Sequence, residues 1–208
     1  MREAYANILT FKRKSKIMMR IITGKAKGIR LNTLEGVNTR PTAERAKEAV
    51  FSMLRFDIEG RDVLDLYAGS GQLGLEAVSC GAASATFVDK AKDAAAIISK
   101  NVEKTKLSAF CKVICSDVGD FIRISRGKKK YDLVFIDPPY ALRAVPTTLS
   151  ALLSAELLKP TSLIVCESEE ADIFEGSPEL KEKFEVLKLA KYGVAHVTVL
   201  TPAKEAEE

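Results

Sequence analysis

The sequence predicts an α/β fold: a Rossmann-like, doubly wound, mostly parallel seven-stranded sheet with an antiparallel C-terminal hairpin. Three observations carry that expectation. Between Val63 and Cys166, five short apolar runs alternate with amphipathic stretches. The runs are nearly continuous in Val, Ile, Leu and Phe, as parallel strands covered on both faces require. The last two extended segments, Phe184–Leu187 and Val194–Leu200, are joined by only a few residues around Gly193, too few for a helical crossover.

The elements follow in order. Residues 1–18 show no periodicity and read as a flexible basic extension. Residues 19–57 form an N-terminal hairpin and helix. The hairpin pairs Arg20-Ile21-Ile22 with Gly28-Ile29-Arg30-Leu31 across a Gly- and Lys-containing turn. Thr42 is the expected N-cap of the helix. Ala46, Ala49, Val50, Met53 and Leu54 fall on one of its faces, with helical spacing. The α/β domain spans 58–202, and 203–208 is a polar tail. Its strands are expected at Val63–Leu66, Ala85–Asp89, Val113–Cys115, Leu133–Ile136 and Leu163–Cys166. The intervening helices contain Ile97, Ile98 and Val102, then Phe121, Ile122 and Ile124, then Leu149, Leu152, Leu153 and Leu157 on one face.

Composition narrows the function. At 47% hydrophobic and 29% charged, the chain combines a substantial core with a soluble surface. No apolar run approaches the roughly 20 residues of a membrane-spanning helix, and no secretory h-region opens the chain, so a cytoplasmic protein is expected. Cys80, Cys111, Cys115 and Cys166 form no C-x-x-C pair, and the one histidine, His196, lies far from them. No metal site is expected, and the thiols are expected free. His196 alternates with valines and reads as structural. Residues 1–60 carry 13 Lys/Arg against 6 Asp/Glu, with no acid between Glu3 and Glu35. This one-ended positive charge suits a polyanionic partner, nucleic acid; a merely solvated basic arm is the alternative.

The first strand runs into Asp65-Leu66-Tyr67-Ala68-Gly69-Ser70-Gly71. The glycines permit a tight turn and close approach of a ligand to the backbone. The third glycine of the dinucleotide fingerprint is missing from its place, since Gly74 comes too early. Asp65 stands ready for a cationic ligand end and would repel a pyrophosphate. Asp89 ends the second strand, where a carboxylate takes ribose hydroxyls, and Asp117 follows the third, within reach of an adenine amine. Each acid alone has the chemistry of a helix N-cap; together they point to S-adenosylmethionine (SAM). The expected cofactor set is Asp65, Tyr67, Ala68, Gly69, Ser70, Gly71, Asp89, Lys90, Asp117 and Val118.

The fourth strand leads into Asp137-Pro138-Pro139-Tyr140, the expected catalytic motif. Proline lacks an N–H and fixes φ, so two in succession make a rigid turn with its carbonyls outside any ladder. The Asp137 carboxylate and Pro138 carbonyl can both accept from one NH₂ group. An exocyclic amine is a poor nucleophile because its lone pair is delocalised into the ring. Two acceptors localise that pair and orient it toward a methyl donor. Tyr140 offers a face on which an unstacked base can stack.

These motifs, with Met19-Arg20-Ile21-Ile22-Thr23-Gly24, Thr39-Arg40-Pro41-Thr42 and Lys191-Tyr192-Gly193, resemble the RsmD family from residue 19 to about 200. The resemblance implies a SAM-dependent methyltransferase domain over 58–202 that methylates N2 of a guanine in small-subunit (16S) ribosomal RNA. It implies ribosomal RNA or a small-subunit assembly particle as partner, and a role for Arg40, Pro41 and Thr42 at the methionine end of SAM or at the RNA; a monomer is the default expectation. The chain departs from the family's pattern at Ser168, where His often follows Glu, and at Val194, where Asp is favoured. DNA adenine-N6 or cytosine-N4 methylation, or RNA binding without catalysis, are the alternatives.

Overall fold

The computed structural model describes residues 19–33 and 41–204. The expected extension 1–18, Thr39, Arg40 and the last four residues of the tail lie outside the described residues.

Seven strands form one sheet in the order β3-β2-β1-β4-β5-β7-β6. They are β1 Asp62–Leu66, β2 Ser84–Asp89, β3 Cys111–Cys115, β4 Tyr131–Ile136, β5 Leu158–Ser168, β6 Phe184–Tyr192 and β7 Ala195–Pro202. The first five are parallel, and β7 runs antiparallel between β5 and β6. The helices are α1 Pro41–Met53, α2 Gln72–Ser79, α3 Lys92–Thr105, α4 Val118–Ser125, α5 Val145–Ser154 and the single turn α6 Pro178–Lys181. Strand order reverses between β1 and β4, and ligands of doubly wound sheets bind outside the carboxyl ends of the strands at such a point.

Side-chain alternation sends each strand's residues to two cores, one on either face. Val63, Phe87, Phe135, Val165 and Val199 pack with α1, α2, α3 and the N-terminal hairpin. Leu64, Val88, Ile136, Ile164 and Leu200 pack with α4 and α5.

Several boundaries differ from the sequence expectation. The N-terminal hairpin contains one antiparallel bridge, Arg20 with Arg30, rather than two strands. Its backbone still pairs across the turn, Ile21 N–H to the Ile29 carbonyl, Gly28 N–H to Ile21 and Leu31 N–H to Met19, while Ile22 and Thr23 N–H donate to Glu76 on α2. Helix α1 begins at Pro41, so Thr42 lies inside its first turn and not ahead of it. Proline suits that first position because its missing N–H has no intrahelical acceptor there. Leu157 lies beyond α5, which ends at Ser154, though it is buried with Leu149 and Leu152. Val194 is exposed and belongs with Gly193 (φ 64°) to the two-residue loop joining β6 and β7.

Gly74 lies on the face of α2 pressed against the sheet. A Cβ there would stand 2.4 Å from Cε1 of Phe87 and 3.1 Å from Oδ2 of Asp65. It therefore does the close-packing work of the dinucleotide fingerprint's third glycine from a different position. Gly74→Ala is expected to cost about 1–3 kcal/mol by overpacking, measured by urea denaturation against wild type.

Candidate active site

The loop after β1 is built by its own backbone and by neighbouring strands. Tyr67 holds a left-handed φ of 59°, rare for a bulky residue. Its hydroxyl lies 2.9 Å from Oγ1 of Thr148 on α5, which ties this loop to the helix following the Asp-Pro-Pro-Tyr motif. Ala68 N–H donates to the Val88 carbonyl, and Gly71 N–H turns back to the Ala68 carbonyl at 2.7 Å. The Ser70 carbonyl accepts from Nδ2 of Asn101, and its hydroxyl donates to Sδ of Met19. Asn101, fully buried on α3, also exchanges hydrogen bonds with the Asn32 backbone. The hairpin, α3 and the glycine loop therefore form one hydrogen-bonded unit.

Each predicted acid is placed at a carboxyl end of the sheet, and each engages backbone. Oδ2 of Asp65 accepts from Gly74 N–H at 2.8 Å. Oδ2 of Asp89 accepts from Gly69 N–H and Oδ1 from Ala91 N–H, both at 2.9 Å. Oδ1 of Asp117 accepts from Gly119 and Asp120 N–H, so Asp117 is the N-cap of α4. Its second oxygen has no such bond among the described residues. Lys90 is exposed beside Asp89, whereas the Val118 side chain packs into the core, leaving its backbone to meet any ligand.

Asp65 is 1% exposed. Burial, then the nearby Asp89 carboxylate, push its carboxyl up to about 7 against the single opposing bond from Gly74. The sign for stability follows. A folded-state pKa above the unfolded value favours the folded state at low pH, and that advantage disappears as pH rises through 7. Relative to Asp65→Asn, the wild type should lose about 4 kcal/mol between pH 4 and pH 8. Denaturant titrations of both proteins across that range check it; a pH-independent difference would overturn it.

Across the switch point, β4 ends at Ile136 and the chain passes into Asp137, with Pro138 buried and Pro139 exposed. Tyr140 opens a short 3₁₀ turn, Tyr140–Leu142. Asp137 keeps some exposure but is crowded by protein. Its carboxyl is pushed well above the usual range by burial first, then by Glu167, then by Asp65. The register explains the grouping. Asp65 pairs with Phe135 and Cys166 with Ile136, so Asp65, Asp137 and Glu167 share one face at the ends of three adjacent strands.

Among the sequence-predicted residues, Asp65, Tyr67–Gly71, Asp89, Asp117, Asp137, Pro138 and Pro139 meet along this sheet edge. Pro41 and Thr42 are seen only as the first turn of α1. Sequence reasoning missed Asn101, which nothing local distinguishes from a helix-surface polar residue. It also gave no role to Glu167, although strand parity from Val165 places it beside Asp137.

All four cysteines are free. His196 lies on β7 with Nδ1 3.0 Å from the Glu169 carbonyl. Among the described residues, no helix is long and apolar enough to cross a membrane.

Comparison with known proteins gives this edge a lineage. The family described as "Conserved hypothetical protein 95" matches residues 19–201. Ribosomal RNA small subunit methyltransferase D of Haemophilus influenzae is 36% identical over 152 residues, 73% of this chain and 79% of that protein. A candidate rRNA methyltransferase of Bacillus subtilis is 30% identical over 183 residues, 87% of this chain and 97% of that protein. The solved structure of a candidate methyltransferase of Escherichia coli superimposes with a TM-score of 0.78 at 27% identity, covering 90% of this chain and 99% of that one. With the family model covering nearly all of the α/β domain and the hairpin before it, the chain belongs to the RsmD family of methyltransferases.

Proposed function

We propose that this chain transfers a methyl group from SAM to the N2 amine of a guanine in small-subunit ribosomal RNA. The observation that carries the reading is the placement of Asp137-Pro138 across the switch point from the glycine loop and the buried Asp65.

The residues fit the cofactor. Asp65 is a buried carboxylate held by one amide, a costly arrangement that a cationic ligand would relieve. Asp89 and Asp117 each retain lone pairs beside the loop, suited to ribose hydroxyls and an adenine amine. Ser70 and Gly71, with the start of α2, give the ligand close approach to backbone. SAM supplies a methyl already activated by its sulfonium, so the protein's task is positioning and electrostatics. The Asp137 carboxylate and Pro138 carbonyl draw the amine hydrogens and point its lone pair at the methyl carbon. The nitrogen–carbon bond forms as the carbon–sulfur bond breaks, and the alkylated nitrogen then sheds its proton. Pro138 and Pro139 keep the turn rigid, and Tyr140 supplies the stacking face.

RNA is favoured over DNA by the relatives' names and by exposed Arg20, Lys25, Lys27 and Arg30 on a hairpin anchored to the cofactor loop. The test incubates the protein with methyl-labelled SAM and, in parallel, unmethylated ribosomal RNA, assembled small subunits and DNA. Label in N2-methylguanosine from RNA is expected. Label only in DNA, or in none of the three, would overturn the proposal.

A further inference from the structure

Beyond the methyl-transfer atoms, the structure contains a cavity of about 340 Å³ directly against Pro138. That size falls within the roughly 300–1,000 Å³ of ligand pockets. Its far wall comes from the end of β5 and the segment after it: Glu167, Ser168, Glu170, Asp172 and Glu175. Arg143 and Val145 also line it. Four carboxylates face one guanidinium, and that guanidinium is paired with Glu170 at 3.1 Å. Ser168 donates to Glu170 as well, and Asp172 accepts from Phe174 N–H and lies 3.2 Å from Nζ of Lys181. Glu167 is the carboxylate of this wall that lies nearest the reacting group. It stands one residue past the last β4–β5 pair, Ile136 with Cys166, on the face that also carries Asp137.

We infer that this cavity seats the target nucleobase and that Glu167 reads the N1–H of guanine while Asp137 and Pro138 hold its N2 amine. The inference rests on the proposed guanine-N2 reading. The nucleobase chemistry explains why a second carboxylate belongs there. In guanine the N2 amine has an N–H donor as its Watson–Crick neighbour. In adenine and cytosine the neighbour of the exocyclic amine is a ring nitrogen lone pair. A carboxylate beside Asp137 attracts the first and repels the other two. An acidic wall also disfavours entry of phosphate, so a base and not the RNA backbone fills the cavity. The closeness of the two carboxyls is independently visible in the upward push that Glu167 exerts on Asp137.

The experiment compares guanine with 2-aminopurine at the mapped target position of a synthetic RNA. 2-Aminopurine keeps the 2-amine but has a lone pair at N1. Wild-type protein should prefer guanine in kcat/KM by on the order of tenfold or more. In Glu167→Gln the amide can donate to N1 of 2-aminopurine and has one acceptor fewer for guanine, so the preference should shrink toward unity while SAM affinity is unchanged. A merely structural role for Glu167 would lower both substrates alike. A wild-type ratio near unity, or an unchanged ratio in Glu167→Gln, overturns the inference. If the variant does not bind SAM, the wild-type ratio alone decides. Failure of the underlying function looks different: the wild type then places no methyl on guanine N2 at all.

Discussion

Asp137→Ala should turn over on the order of 100–1,000-fold more slowly than wild type while its affinity for SAM stays within about threefold. The asymmetry follows from position. Asp137 stands at the end of β4, across the switch point from the glycine loop, and its neighbours are Glu167 and Asp65 rather than the loop amides. On the proposed function, removing it deletes an acceptor that acts on the amine in the transition state and leaves the backbone of the glycine loop in place. Asp137→Asn should lose less, since its amide oxygen still accepts one N–H. Single-turnover kinetics with ribosomal RNA and calorimetric SAM titrations separate the two quantities. A parallel loss of binding and turnover would instead make Asp137 a cofactor ligand. The pH profile gives a second check. Burial and two neighbouring carboxyls favour protonated Asp137, and in that form one oxygen becomes a donor. A bound cation opposes those influences, so turnover should rise with pH as Asp137 ionises, and this rise should be absent from Asp137→Asn.

The parallel part of the fold was legible because buried parallel strands write a nearly continuous apolar run. Val63–Leu66, Leu133–Ile136 and Leu163–Cys166 are such runs, and each lies within an observed strand. β6 was legible only in its first residues. It is the sheet edge, paired with β7 alone and bulged between Val186 and Lys188. Leu187, Lys188, Leu189 and Lys191 are exposed, so no burial period marks the strand's true length. Lysines and a bulge are common protections for an unpaired edge. Along this sheet edge, the candidate residues were readable because their chemistry is local: a glycine turn, an acid at a strand end, two prolines. The placement of Glu167 and Asn101 was not, because it arises from strand register and helix packing. Asp117 shows the opposite limit. Its N-cap geometry and a ligand role are both written by the same residue in the same place, and sequence cannot separate them.

Glu76→Ala is expected to destabilise the fold by about 3–5 kcal/mol, the cost of breaking a buried ion pair from one side. Glu76 is fully buried on α2, and its carboxylate lies 3.1 Å from the equally buried Nζ of Lys47 on α1. Sequence patterning places Glu76 within a helix but gives no hint of this partner. The same carboxylate accepts from Ile22 and Thr23 N–H and from the Thr23 hydroxyl, at 2.7–2.9 Å. Lys47 in turn donates to the Arg20 carbonyl at 2.7 Å. Burial lowers the Lys47 pKa despite Glu76, so a lysine stripped of its carboxylate would give up its proton or draw in water. The hairpin would lose its main polar anchor at the same time. Lys47→Met should cost less, because Glu76 keeps its hairpin donors. Joining it to Glu76→Ala should not restore wild-type stability, since those donors stay unpaired. Urea denaturation of the two single variants and the double variant tests this as a mutant cycle. The functional consequence is separable by ligand titration. The hairpin's ends reach Ser70 through Met19 and Asn101 through Asn32, so loosening it should weaken SAM binding even where the α/β domain remains folded. A Glu76→Ala protein with wild-type stability would show that α2 does not depend on this pair, and one with full SAM affinity would show that the hairpin does not support the cofactor loop.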